Sequence, residues 1–143
     1  MSEAGGEPVT ALVVDDDPAM RALLRDWLER EGFRVIEEPS GERLLALAQG
    51  ARFDVVILDK EMPGLGGFDV LPAFRRQRPE VPVVLITAFG GALVAEEALK
   101  LGAQQYLEKP FQFRALIAAV RTATAAAVRR RGVEASERRP GHD

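Results

Sequence analysis

The chain alternates five times between a short apolar run and a longer segment with helical periodicity. The apolar runs are too short for independent helices and contain many β-branched residues, so we predict strands over residues 10–14, 33–37, 53–58, 81–86 and 105–108. Between them, apolar side chains recur at helical spacing. This alternation predicts an α/β fold, with a five-stranded parallel sheet, helices on both faces and right-handed crossovers.

Local signals predict where several helices begin and end. Asp17 followed by Pro18 predicts the start of the first helix, with Asp17 as its cap. The apolar face of that helix is predicted to contain Met20, Leu23, Leu24, Trp27 and Leu28. Pro72 is tolerable only near the first turn, so the third helix is expected to be kinked or to start late. The last helix is predicted to run towards Arg131 and to end before Gly132.

A length of 143 residues suits one domain with short extensions. We predict a domain over residues 9–128, preceded by a disordered N-terminal extension over residues 1–8. Residues 129–143 are predicted to be a linker or a disordered tail. Arginines near this end are interrupted by glutamates and lack aromatic companions, and the formal net charge is −3, so direct binding of nucleic acid is not expected.

Composition excludes several kinds of chemistry. The sequence has no cysteine, which excludes thiol nucleophiles, disulfides and thiolate metal sites and suits a cytoplasmic location. Its single histidine, His142, is next to last, so neither a catalytic triad nor an imidazole zinc site is expected. No signal peptide is evident, and no apolar run approaches the roughly 18 residues that span a bilayer. We therefore expect no membrane partner.

Polar residues follow four of the predicted strands directly. Asp15 and Asp16 come after the first, Asp59 after the third, Thr87 after the fourth and Lys109 after the fifth. Since the carboxyl ends of parallel strands share one edge of a sheet, these residues are expected to converge there. Neighbouring carboxylates repel each other, so the cluster is expected to hold a cation. An oxygen-rich site without His or Cys favours Mg²⁺.

The predicted cluster suits phosphoryl chemistry. With Mg²⁺ offsetting the negative charge, Asp59 could attack a phosphoryl group that the acids would otherwise repel. Lys109 would pair with the phosphoryl oxygens, and Thr87 could donate a hydrogen bond that exists only when the phosphoryl group is present. Such a bond would make the domain a switch.

Four motifs, VVDDDP, ILDKEMPG, LITAFG and YLEKPF, each stand at a strand end. In this order they resemble the receiver domains of two-component response regulators, over residues 9–128. The resemblance implies the flavodoxin-like fold of the CheY-like proteins, a (βα)5 three-layer sandwich with strand order 2-1-3-4-5. It also implies a regulatory domain, not an enzyme that turns over external substrates.

The resemblance implies roles for individual residues. Asp59 would be the phosphoacceptor and Asp16 a Mg²⁺ ligand, with Asp15 acting through water and the backbone carbonyl of Glu61 as a further ligand. Lys60 and Glu61 place charges where the family more often has apolar or neutral residues. Glu61 could repel the phosphoryl group or crowd incoming water, which leaves the phosphoryl lifetime open.

Further residues would read out phosphorylation. The resemblance makes Thr87 the switch hydroxyl and Lys109 the phosphoryl-binding lysine, before a cis bond to Pro110. Tyr106 is either an aromatic whose rotation reports phosphorylation or a core side chain.

Several partners are implied by the same resemblance. A sensor histidine kinase would donate the phosphoryl group, and an output domain or downstream protein would receive the signal. A homodimer could form through the face made by the fourth helix, fifth strand and fifth helix. The LITAFG motif and the alanine-rich last helix resemble receivers of NtrC-like transcriptional activators.

Two other functions are compatible with an acid at the end of a parallel strand. An aspartate-nucleophile phosphatase of the haloacid dehalogenase kind also places an acid after a parallel strand, but it needs a second Asp two residues later, where this chain has Glu61. A degenerate, non-phosphorylated interaction module would not need all five positions, Asp15, Asp16, Asp59, Thr87 and Lys109, to be intact.

Overall fold

Five parallel strands form one sheet in the order β2-β1-β3-β4-β5 in the computed structural model, which describes residues 8–137. The strands are β1 (Thr10–Val14), β2 (Arg34–Glu38), β3 (Val55–Asp59), β4 (Val83–Thr87) and β5 (Gln105–Glu108). The helices are α1 (Pro18–Arg30), α2 (Gly41–Leu47), α3 (Gly67–Gln77), α4 (Ala92–Lys100) and α5 (Phe113–Glu137). The predicted α/β class and strand order are confirmed.

Helices cover both faces of the sheet, because the side chains of each strand alternate between two separate cores. One core packs strand residues such as Leu12 and Leu58 against Leu44 and Phe74, from α2 and α3. On the opposite face, Leu24 of α1 and other side chains of α1 and α5 pack against the alternate strand residues. The three-layer arrangement is therefore the one predicted.

Three strands begin later than predicted: β2, β4 and also β3, which starts at Val55 and not at residue 53. The amide of Phe33 donates to the carbonyl of Leu28 (3.1 Å), so Phe33 completes the end of α1 and β2 starts at Arg34. Pro82 has no amide hydrogen to offer a neighbouring strand, and β4 starts after it, at Val83. Pro82 still contributes through its carbonyl, which accepts from the amide of Val56 at 3.0 Å.

The start of α1 is as predicted, but its buried face is narrower. Asp17 caps the helix by accepting from the amide of Ala19 (3.0 Å), and Pro18 is the first helical residue. Leu24 and Leu28 are buried, whereas Leu23 is 39% exposed. Consecutive residues point about 100° apart around a helix, so Leu23 lies outside the stripe centred on Leu24. Its assignment to the buried face is wrong.

Pro72 lies further inside α3 than the sequence predicted. It follows Gly67 by five positions, beyond the first turn, and the helix continues to Gln77. Proline cannot donate to the carbonyl four residues earlier, which weakens the helix locally. Val70 and Phe74, on either side of Pro72, are both fully buried, and this tertiary packing offsets the lost hydrogen bond.

The last helix is longer than predicted, since α5 passes through Gly132 and ends at Glu137. A glycine inside a helix costs only about 1 kcal/mol relative to alanine, which the neighbouring helix-forming residues can offset. The predicted end before Gly132 is therefore wrong. Residues 1–7 and 138–143, which contain most of the predicted extension and part of the predicted tail, lie outside the described residues. A linker role for residues 129–143 stays a prediction.

Within the described residues, no helix is both long enough and apolar enough to cross a bilayer.

Removing the cap of α2 is expected to destabilise the domain modestly. The hydroxyl of Ser40 accepts from the amide of Arg43 (3.2 Å), so Ser40→Ala is expected to lower the free energy of unfolding by about 1 kcal/mol in urea denaturation. Ser40→Asp keeps an acceptor and should stay within about 0.5 kcal/mol of the wild type. Equal midpoints for Ser40→Ala and the wild type would contradict this role.

Candidate functional site

The carboxyl edge of the sheet brings together the polar residues that the sequence scatters. Asp15 follows β1, Asp59 ends β3, and Lys109 follows β5. Carboxylate oxygens of Asp15, Asp16 and Asp59 all lie within 4.8 Å of one another. The ammonium of Lys109 is 3.5 Å from Asp15 Oδ2 and 3.4 Å from Asp59 Oδ1. The predicted convergence of these four residues is thus found in the structure.

Asp15 is held in place by its backbone neighbours. Its carboxylate accepts from the amide of Asp17 (2.9 Å), and its carbonyl accepts from Arg21 Nη1 (2.6 Å). Its amide donates to the carbonyl of Glu38 on the adjacent strand (3.2 Å). Asp15 is fully buried, whereas Asp16 is exposed. One member of the acidic pair is therefore rigidly placed and the other faces solvent.

Close packing beneath Asp59 depends on Gly67, the first residue of α3. A Cβ atom at position 67 would lie 2.8 Å from both the Asp59 carbonyl oxygen and Lys60 Cα. The Gly67 amide donates to the carbonyl of Lys60 (2.9 Å). The close approach of Gly67 to the end of β3 is a tertiary contact, so the sequence carries no local signal for it.

The cluster contains more negative than positive charge, which shifts the pKa values of its members. Burial, followed by repulsion from Asp15, raises the pKa of Asp59 from 3.8 to about 6. Burial also raises the pKa of Asp15. For Lys109, burial alone would lower the pKa, but attraction to Asp15 and Asp59 outweighs it and the pKa is raised. A single ammonium thus faces three carboxylates.

The cluster has the donors that a hard divalent cation requires. Asp15, Asp16 and Asp59 can each offer one carboxylate oxygen to a common point. Carboxylate oxygens suit Mg²⁺. Burial and then repulsion from Asp15 raise the pKa of Asp59, and a divalent charge would offset that repulsion. The residues therefore fit such an ion. Ligation by the carbonyl of Glu61 stays a prediction.

The side chain of Glu61 makes contacts that sequence reasoning missed. Glu61 Oε2 accepts from the buried hydroxyl of Thr87 (2.5 Å), and Oε1 accepts from the amide of Ala88 (3.0 Å). The ammonium of Lys60 lies 3.4 Å from Oε2. Burial alone would raise the pKa of Glu61, but the hydrogen bonds from Thr87 and Ala88 prevail and the pKa is lowered. The carboxylate is therefore anionic and engaged at the end of β4.

Tyr106 is half-buried, and its hydroxyl donates to Glu108 Oε2 (3.2 Å). The same carboxylate oxygen accepts from the amide of Gly91 (3.0 Å), the residue before α4. The sequence did not indicate this role for Glu108. The predicted cis bond between Lys109 and Pro110 is present. Both alternatives for Tyr106 stay open, because it also packs against the core.

A parallel sheet in this order defines a flavodoxin-like α/β protein, and its ionisable cluster lies at the edge where open parallel sheets usually bind ligands. Comparison with known proteins narrows this class. The model of the response regulator receiver domain matches residues 11–121, and the chain belongs to that family. Receiver domains are the phosphoacceptor modules of two-component systems. The identification therefore favours a phosphoacceptor domain over a phosphatase or a non-phosphorylated interaction module.

Individual relatives agree with the family. The chain is 36% identical to the probable transcriptional regulatory protein TcrX of Mycobacterium tuberculosis, over 93% of this chain and 55% of TcrX. It is 44% identical to the transcriptional regulatory protein CpxR of Escherichia coli K12, over 77% of this chain and 47% of CpxR. The chain thus spans about half the length of these relatives. The solved structure of the Vibrio cholerae chemotaxis protein CheY4 superposes with a TM-score of 0.76 at 31% identity, covering 82% of this chain and 99% of that one.

Proposed function

We propose that Asp59 is the phosphoacceptor of this receiver domain and that a sensor histidine kinase supplies the phosphoryl group. The observation that carries this proposal is the position of Asp59. It ends a fully buried strand, beside Asp15 and within 3.4 Å of the Lys109 ammonium. An incoming phosphoryl group would therefore meet Asp59 at the carboxyl edge of the sheet. Among the described residues, this is the edge at which clustered carboxylates lie beside a lysine.

The proposed transfer is a substitution at phosphorus. A carboxylate oxygen of Asp59 forms the new P–O bond while the P–N bond to the donor imidazole breaks, and the imidazole nitrogen keeps the electron pair of that bond. Lys109 is placed to pair with a phosphoryl oxygen as negative charge collects around Asp59. Mg²⁺, held by Asp15, Asp16 and Asp59, would supply charge neutralisation at these oxygens. The domain accepts one phosphoryl group and does not turn over an external substrate.

Phosphorylation is proposed to act as a population shift that involves Thr87 and Tyr106. The face formed by α4, β5 and α5 is the proposed contact for a second copy or an output partner. Leu93 and Leu99 of α4 are 81% and 57% exposed, which supports a contact on this side of the domain. Because its relatives TcrX and CpxR are named transcriptional regulators, we propose transcription as the output. A cytoplasmic location is part of the same proposal.

The direct test is to incubate the protein with Mg²⁺ and acetyl phosphate and to measure the intact mass. We expect a gain of one phosphoryl group on the wild type and none on Asp59→Asn, because the amide is not a nucleophile. Asp54→Asn is a matched control, since Asp54 lies at the opposite end of β3, where its carboxylate accepts from the amide of Thr10 (2.8 Å). A mass gain that survives in Asp59→Asn would refute the assignment.

A further inference from the structure

We propose that the carboxylate of Glu61 occupies the place of the phosphoryl group in the unphosphorylated domain, so that phosphorylation must displace it. The inference rests on the proposed role of Asp59. It adds a competitor built into the chain, which holds the donors of Thr87 and Ala88 until a stronger anion arrives. We call these two hydrogen bonds the Glu61 contact.

The Glu61 contact uses both carboxylate oxygens on neighbouring donors. Oε2 takes the hydroxyl of Thr87 at 2.5 Å, and Oε1 takes the amide of Ala88 at 3.0 Å. Thr87 is fully buried, so its hydroxyl has no access to bulk water as an alternative partner. The backbone amide of Glu61 donates to Asp59 Oδ1 (3.3 Å), so the backbone of Glu61 contacts the proposed phosphoacceptor directly.

Glu61 and a phosphoryl group on Asp59 would compete because Thr87 has only one hydroxyl hydrogen to donate. A hydroxyl can donate only one hydrogen bond, and the Thr87 hydroxyl spends it on Glu61. A phosphoryl group on Asp59 could accept a hydrogen bond from Thr87 only after the bond between Thr87 and Glu61 had broken. Charge acts in the same direction, because the phosphoryl group and the Glu61 carboxylate are both anions within a few residues of each other. Anions therefore compete for the same two donors.

Displacement of Glu61 would also remove one of the two attachments at the start of the loop between β4 and α4, residues 88–91. The loop is held at its start by Glu61, through the Ala88 amide, and by Thr87 Oγ1, which accepts from the amide of Phe89 (3.0 Å). Its far end is held by Glu108, through the amide of Gly91 (3.0 Å). Loss of the first attachment gives phosphorylation a route to α4 and to the exposed Phe89.

Beryllium fluoride with Mg²⁺ provides a reversible stand-in for the phosphoryl group, because it adds to a carboxylate as a tetrahedral anion. Fluorine NMR titration should show the Glu61→Ala variant binding this anion at least about tenfold more tightly than the wild type, since no carboxylate has to leave. Glu61→Gln, which keeps one acceptor oxygen but no charge, should fall between them. Unchanged or weaker binding in Glu61→Ala would overturn the competition.

Two controls separate competition from a general effect of charge. Glu96→Gln removes one negative charge from the exposed surface of α4 and should change the affinity less than about twofold. The gain in Glu61→Ala should persist at about 1 M salt, where charges are screened over roughly 3 Å. A gain that disappears in high salt would assign the effect to net charge and refute the contact as its cause.

A second measurement needs neither metal nor fluoride. In the ligand-free wild type the Ala88 amide should be protected from hydrogen exchange, and Glu61→Ala should speed its exchange at least about tenfold, while Glu96→Gln should not. Unchanged exchange would refute the Glu61 contact even if Asp59 is phosphorylated normally. If exchange responds but the wild type binds no beryllium fluoride, the role of Asp59 fails, and the competition fails with it.

Discussion

Withdrawing Mg²⁺ is expected to slow phosphoryl uptake by Asp59 at least about a hundredfold, measured as the rate of mass gain with acetyl phosphate. Asp59 shares its site with Asp15 and Asp16, and one ammonium, that of Lys109, opposes them. Two like charges about 4 Å apart cost about 4 kcal/mol at an effective dielectric constant of 20, whereas a hundredfold in rate needs only about 2.7 kcal/mol. The uncompensated acids are therefore sufficient to keep a phosphoryl anion away.

The controls for this experiment lie in the cluster itself. Asp16→Asn should raise the Mg²⁺ concentration needed for half-maximal rate, because Asp16 offers one of the three clustered oxygens. Replacing Mg²⁺ with NaCl of equal ionic strength should not restore the rate, since screening by monovalent ions does not bridge carboxylates. Full activity in excess chelator would refute a metal requirement and the proposed use of the acids.

The Asp59→Asn variant is expected to be more stable than the wild type at pH 7 without Mg²⁺, by up to about 3 kcal/mol. The pKa of Asp59 is about 6 in the folded protein against 3.8 in the unfolded chain, so the folded state binds protons more readily. The resulting stabilisation is fully present below pH 4 and is lost as pH rises through about 6. Each pH unit between the two values corresponds to about 1.4 kcal/mol.

Urea denaturation at several pH values in chelator tests this prediction. The stability difference between Asp59→Asn and the wild type should be largest above pH 6 and should vanish near pH 4. Asp26→Asn, which removes an exposed acid paired with Arg30 (3.0 Å), should stay within about 1 kcal/mol at every pH. A wild type that equals or exceeds Asp59→Asn at pH 7 would contradict the raised pKa.

Both predictions concern one physical situation. Asp59 is kept at a place where its charge is unfavourable until a cation or a proton offsets it. A carboxylate with a raised pKa lowers the stability of the folded protein at neutral pH, and such perturbed pKa values are common at functional sites. If the Glu61 contact competes as proposed, the same site carries a second anion that must move before phosphorylation is complete. Metal binding, phosphorylation and release of the loop would then be linked through neighbouring charges.

Sequence patterns predicted the fold well wherever local chemistry decided the outcome. Asp17 and Pro18 start α1 because capping and a preset proline dihedral act within a few residues. Pro72 and Gly132 lie inside helices despite the same local rules, because packing and neighbouring helix-forming residues offset their cost. Leu23 was misplaced because a helix face is defined by the partner it packs against, which periodicity does not specify.

Some features of the site could likewise be predicted from the sequence, whereas others depend on the tertiary structure. That Asp15, Asp59 and Lys109 would meet was determined by the sequence alone, because each follows a parallel strand and such strands end at one edge. Only the tertiary structure decided where the side chain of Glu61 points. Its contact with Thr87 joins the loop after β3 to the end of β4, across 26 positions of the sequence. The choice among possible partners depends on distances of a few tenths of an ångström. Periodicity and motif spacing carry no information at that scale, whereas a packed fold does.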